Sequence, residues 1–152
     1  MTGSPARPPL GWRAWLGLGL ALLAWPSLPA LAFGQAPLAL AERRGYLQLN
    51  NPGQRSIQLQ LQVFPVVLQQ GRPNATLVPL ASEQAEQLIR LRPSQLRLGP
   101  GASRTIPYTV LDPSRDFFLC GVSHQGLFTL RVCSRWRSQP ASAAALPAAK
   151  PR

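Results

Sequence analysis

The chain has 152 residues and a net charge of +11, with 16 Lys and Arg against five Asp and Glu, one His and two Cys. Two cysteines and one histidine are too few for a four-ligand zinc site, so no metal is expected. His124 has no Ser–His–acid or Cys–His pattern around it and reads as a turn residue, so the chain is not expected to be an enzyme or to carry a cofactor. The basic residues are scattered Arg (Lys150 is the only Lys) and form no stripe. That argues against nucleic acid and leaves two readings, a solvated Arg-rich surface with no specific partner or a basic face for anionic envelope surfaces or acidic partners.

Residues 1–32 have Arg7 and Arg13 near the start, an apolar run at 15–25, then Pro26, Pro29 and Ala30-Leu31-Ala32. A charged region, a short apolar core and an A-x-A site describe a cleaved signal peptide, with the cut after Ala32. The run is shorter than the ~20 residues of a membrane span, so no stable span is expected after cleavage. The alternative is an uncleaved N-terminal anchor. Cleavage leaves 120 residues with a net charge of +9, enough for one domain with one core in a periplasmic or secreted protein.

Residues 36–40 predict a weak first edge strand around Pro37. Residues 45–51 read as a strand that ends in an Asn51-Pro52-Gly53-Gln54 turn. Ile57, Leu59, Leu61 and Val63 alternate with Gln58, Gln60 and Gln62, a period of two that excludes a one-sided helix. This strand continues past Pro65 to Leu68. Residues 69–74 read as a loop, and Asn74-Ala75-Thr76 as turn residues and not as a glycosylated sequon. A short strand is expected at 76–80. Residues 82–87 favour helix but are too few for more than a turn or two. Strands follow at 88–91, around Leu96 and Leu98, and at 105–110 after the Gly99-Pro100-Gly101 turn. The last pair is expected at 117–122 and 127–133 around a 123–126 turn, with Trp136 closing one end of the domain. About seven short strands and no sustained helix predict an all-β, immunoglobulin-like β-sandwich over residues 33–138, with an up-and-down barrel as the alternative. Residues 139–152, rich in Ala and Pro, read as a disordered tail.

Cys120 and Cys133 are candidates for a disulfide, by compartment and even count. A tight 123–126 hairpin opposes this. It pairs Cys120 with Thr129 and Cys133 with Asp116, four residues apart along the strand. That is about 13 Å, against the roughly 7 Å that a disulfide spans between Cα atoms. Either the hairpin has another turn or the cysteines are unpaired.

Residues 50–64 (NNPGQRSIQLQLQVF) and 88–106 (LIRLRPSQLRLGPGASRTI) resemble the first immunoglobulin-like domain of PapD-like periplasmic pilus chaperones. Pro93, Leu98, Pro100, Gly101 and Ile106 fall on the family's Pro-x-x-x-x-Leu-x-Pro-Gly-x-x-x-x-Ile/Val signature, and the likeness covers residues 46–137. The resemblance implies a non-enzymatic protein that binds a pilin-like or surface subunit by β-strand addition. Main-chain hydrogen bonds would give affinity and alternate side chains would fill the subunit's groove. The matching positions are Phe128, Leu130 and Val132, with ordinary core residues as the alternative. Arg135 and Arg137, near the end of the last strand, are further candidate partner-binding residues, and no motif assigns either to the family's carboxylate anchor. The chain stops where that family's second domain begins, so the two-domain cleft is not expected. An extracytoplasmic structural or adhesive module of the same fold, without chaperone activity, is the second reading.

Overall fold

A computed structural model describes residues 32–139. Residues 1–31 of the expected signal peptide and 140–152 of the expected tail lie outside the described residues. Two sheets face each other, and no barrel closes. The first has four strands, in the order β1 (Gly34–Ala36), β3 (Arg44–Asn50), β8 (Ser103–Val110) and β6 (Ile89–Leu91). The second runs β2 (Ala39–Leu40), β10 (Phe128–Trp136), β9 (Phe117–Gln125), β4 (Ile57–Gln69) and β5 (Arg72–Ala75), with β7 (Gln95–Leu98) also paired to β4. The single helix of the described residues, α1 (Ser82–Leu88), fills a connection. The immunoglobulin-like sandwich expected from the alternation of apolar residues is therefore the fold.

Period-two patterning sets which face is buried. Leu47 and Leu49 of β3, Ile57, Leu59, Leu61 and Val63 of β4, and Ile106, Tyr108 and Val110 of β8 all point into one core. Trp136 is fully buried in the core and stacks on Phe117 with 6.3 Å between ring centroids.

The first edge strand departs from the simple expectation. It divides at Pro37: β1 pairs antiparallel with β3 in one sheet, and β2 pairs parallel with β10 in the other. Proline has no N–H, so it sits where the ladder is interrupted. Within the first half, β1, buried Gln35 donates to the Leu119 carbonyl and to Ser134 Oγ, both at 2.9 Å, and accepts from the Gly121 amide at 2.9 Å. Gly121 has no side chain because Gln35 and the Phe33 ring occupy the space that a Cβ would take.

Two further expectations are corrected. Residues 69–74 are not a loop: Gln70 and Gly71 both have positive φ, and Gln69 pairs with Arg72 across a two-residue hairpin. Positive φ at both central positions is the geometry whose twist matches the flanking strands. The strand expected at 76–80 is absent, and β5 takes its place next to β4.

Candidate partner-binding edge

β9 and β10 decide the candidate site, and their register differs from the tight 123–126 hairpin. The turn is Gly126-Leu127, with Gly126 at φ 60°, and Gln125 pairs with Phe128. Glycine at the first position of a two-residue hairpin supplies the positive φ that this turn needs. Phe117 therefore faces Trp136, Leu119 faces Ser134, and Cys120 faces Cys133. The two cysteines are bonded, with 4.0 Å between their Cα atoms.

The ladder fixes which main-chain groups of β10 are free. On β4, the Leu61 amide donates to Ser94, while the Val63 and Pro65 carbonyls accept from Leu80 and Thr76, so these odd positions face away from β9. Even positions of β4 thus bond to even positions of β9, and odd positions of β9 bond to even positions of β10. The N–H and C=O of Thr129, Arg131, Cys133 and Arg135 are left pointing to the outer edge. Arg135 confirms the alternation, since its amide donates to the Leu38 carbonyl of the β2 segment at 2.8 Å. β2 covers only Arg135 and Trp136. Among the described residues, the edge at Thr129, Arg131 and Cys133 has no strand partner.

The side chains alternate in step. Phe128, Leu130 and Val132 lie on the core-facing side of β10. Leu130 and Val132 are half-buried against the core, whereas Phe128 is 65% exposed at the mouth of a groove of about 600 Å³. Asn51, Arg55 and Ile57 line this groove from one side and His124 and Phe128 from the other. Leu127, at the tip of the hairpin, is fully exposed.

Arg135 and Arg137 do not come together with this row. Arg135 is on the outer face, in an ion pair with Asp116 at 3.0 Å and 6.0 Å over the Phe118 ring. The side chain and amide of Ser138 hydrogen-bond to Asp116 and hold its carboxyl below the usual carboxylate value, with Arg135 adding to the effect. Arg137 is exposed just past the strand. His124 lies in β9 and not in a turn, with Nδ1 at 2.9 Å from Thr129 Oγ1. No group of three His, Cys, Asp or Glu side chains that could hold a metal is present among the described residues.

A second apolar cluster covers the outer face, and sequence reading passed over it. Phe64, Ala75, Cys120 and Val122 are buried there beside Phe118 and Cys133. Arg131 lies 4.8 Å over the Phe64 ring and donates to the Thr76 carbonyl at 2.7 Å, which pins β10 across β9. The signal was present in Phe64, Cys120 and Val122, which share the parity of the Gln face.

No family model and no curated protein matches the sequence. Solved structures are similar to it in fold. The class 5 fimbriae chaperone CfaA aligns over 72% of this chain and 56% of its own, with a TM-score of 0.55 at 12% identity. A structure described as a chaperone–tip adhesin complex vital for CFA/I fimbriae biogenesis gives the same values. A PapD-like domain of human CEP192 aligns over 82% of this chain and 98% of its own, at 18% identity and a lower TM-score of 0.46. The chain thus spans just over half the length of the two fimbrial matches. The described residues form an immunoglobulin-like β-sandwich with the fold seen in these chaperone structures.

Proposed function

We propose that this protein is an exported assembly accessory that lends the edge of β10 to an incomplete pilin-like or surface subunit. One observation carries the reading. The free edge presents the main-chain groups of Thr129, Arg131 and Cys133 in a row, while Phe128, Leu130 and Val132 project together from one face of the same strand. Strand addition needs both features, a hydrogen-bonding edge and alternate apolar side chains to fill the partner's groove. The disulfide and Arg131 hold the strand flat against β9, so little order would be lost on binding.

Export is part of the same proposal, supported by the three-part pattern of residues 1–32 and by the disulfide, which persists in oxidising compartments. Arg137 is the basic residue near the end of the strand that is free to meet a subunit's carboxylate, whereas Arg135 is engaged by Asp116. The test is to mix the protein with a fimbrial subunit lacking its completing strand and to follow aggregation of that subunit. Slower aggregation, lost in Phe128→Ser, is expected. Unchanged aggregation would favour a structural or adhesive module.

A further inference from the structure

The outward face of the four-stranded sheet carries cations that no other part of the described chain engages. Strand register places Arg44 of β3 and Arg90 of β6 on either side of Thr109 of β8, in one row across the sheet. With ~4.8 Å between strands, their Cα positions are roughly 10 Å apart. The adjacent row holds Tyr46 opposite Pro107, and Tyr46 is 70% exposed. The alternate residues Leu47, Ile89, Ile106 and Val110 are buried, so these rows face solvent. Arg43 and Arg92 flank them and are also exposed.

Among the described residues, none of these four guanidiniums is in an ion pair, the ion pair found being Arg135 with Asp116. The opposite face differs in kind. Its Arg131 and Arg135 lie over Phe64 and Phe118 and are held by Thr76 and Asp116.

We infer that this face docks on an anionic phospholipid surface. Guanidinium groups bind phosphate in a bidentate fashion, and two of them a strand apart on each side of a Thr suit separate head groups. A sheet face is broad and open, which fits an extended surface better than a protruding peptide. Tyr46, an apolar ring with a polar tip standing among the arginines, suits the boundary between head groups and acyl chains. This face belongs to the sheet that does not contain β10, so the strand edge stays open to a subunit while the protein is docked.

The test is sedimentation of the full chain with phosphatidylcholine vesicles, with and without phosphatidylglycerol. The ratio of the two partition coefficients cancels any charge-independent contribution. The expected ratio is well above one and falls with added salt. Arg44→Gln with Arg90→Gln should lower it roughly 20- to 30-fold, at the usual contribution of each basic residue near an anionic surface. Arg72→Gln with Arg97→Gln removes the same charge from the other sheet and should change the ratio by less than about threefold. Equal losses in the two variants would mean net charge alone and would overturn the proposal, as would a ratio near one for the wild type. Poly-glutamate competing at lower charge concentration than phosphatidylglycerol vesicles would also overturn it, in favour of an acidic polypeptide. Thermal unfolding of each variant establishes that the domain is intact.

Discussion

The side-chain amide of Asn51 donates to the main-chain carbonyl of Gly99 at 2.9 Å, fastening the turn after β3 to the turn after β7. The same amide also donates to the carbonyls of Leu98 and Arg55, and its Oδ1 accepts from the Gly53 amide. Asn51 is 1% exposed, so removing its carboxamide strands several carbonyls away from water. Asn51→Ala should destabilise the domain by about 2–4 kcal/mol. Asn51→Asp should be no better, since it loses every donation and buries a charge. Chemical denaturation measures both.

Cys120 and Cys133 close a covalent loop with a sequence separation of 13. Chain entropy in the unfolded state gives such a loop about 3 kcal/mol. Reduction, or Cys120→Ala with Cys133→Ala, should lower the melting temperature by roughly 10–20 °C for a domain of this size. A melting temperature unmoved by reductant would show that the bond does not stabilise the fold.

Asp116 sets an acid limit. Its carboxyl lies below the usual value because Ser138, and then Arg135, bind the charged form. A group whose folded value is depressed contributes stability above its unfolded value, near pH 4, and loses it as the pH falls through the folded value. With side chains 31% and 22% exposed, the Asp116–Arg135 pair contributes about 1 kcal/mol or less. Asp116→Asn should lower stability at neutral pH, and its curve should meet that of the wild type once the pH has fallen through the depressed folded value. Melting curves across pH test the convergence.

Phe128 separates binding from folding. At 65% exposure its side chain adds little to the core, whereas Leu119, in β9 of the same hairpin, is fully buried. Phe128→Ser should leave stability within about 0.5 kcal/mol and abolish subunit capture. Leu119→Ala should cost about 2–5 kcal/mol. A Phe128→Ser variant that unfolds, or one that still protects the subunit, would place the residue in the core or outside the interface.

Much of the sandwich was legible because parity is robust. The mistaken hairpin shifted the β9–β10 pairing by four residues. An even shift keeps every side chain on its own face, so Phe117, Leu119, Leu130 and Val132 pointed inward in either register. Distance along the strand is not robust in that way, and the same shift separated two cysteines that stand opposite each other. Gly126 was visible, but placing it at the end of the turn instead of its first central position cost the register. Gln35 was beyond reach for another reason. Its partners Leu119, Gly121 and Ser134 lie more than 80 residues away, and a polar residue in a short leading segment gives no sign that it will be buried. Which edge of the sheet stays open follows from the full strand order, since β2 shields β10 only at Arg135 and Trp136.

Amide hydrogen exchange along β10 tests strand lending most directly. In the free protein the amides of Leu130 and Val132 bond to β9, while those of Thr129, Arg131 and Cys133 face the open edge. Adding a fimbrial subunit that lacks its completing strand should slow exchange at Thr129, Arg131 and Cys133 and leave Leu130 and Val132 little changed. Protection that spares the odd positions, or that falls on the outward residues of the four-stranded sheet instead, would contradict the account.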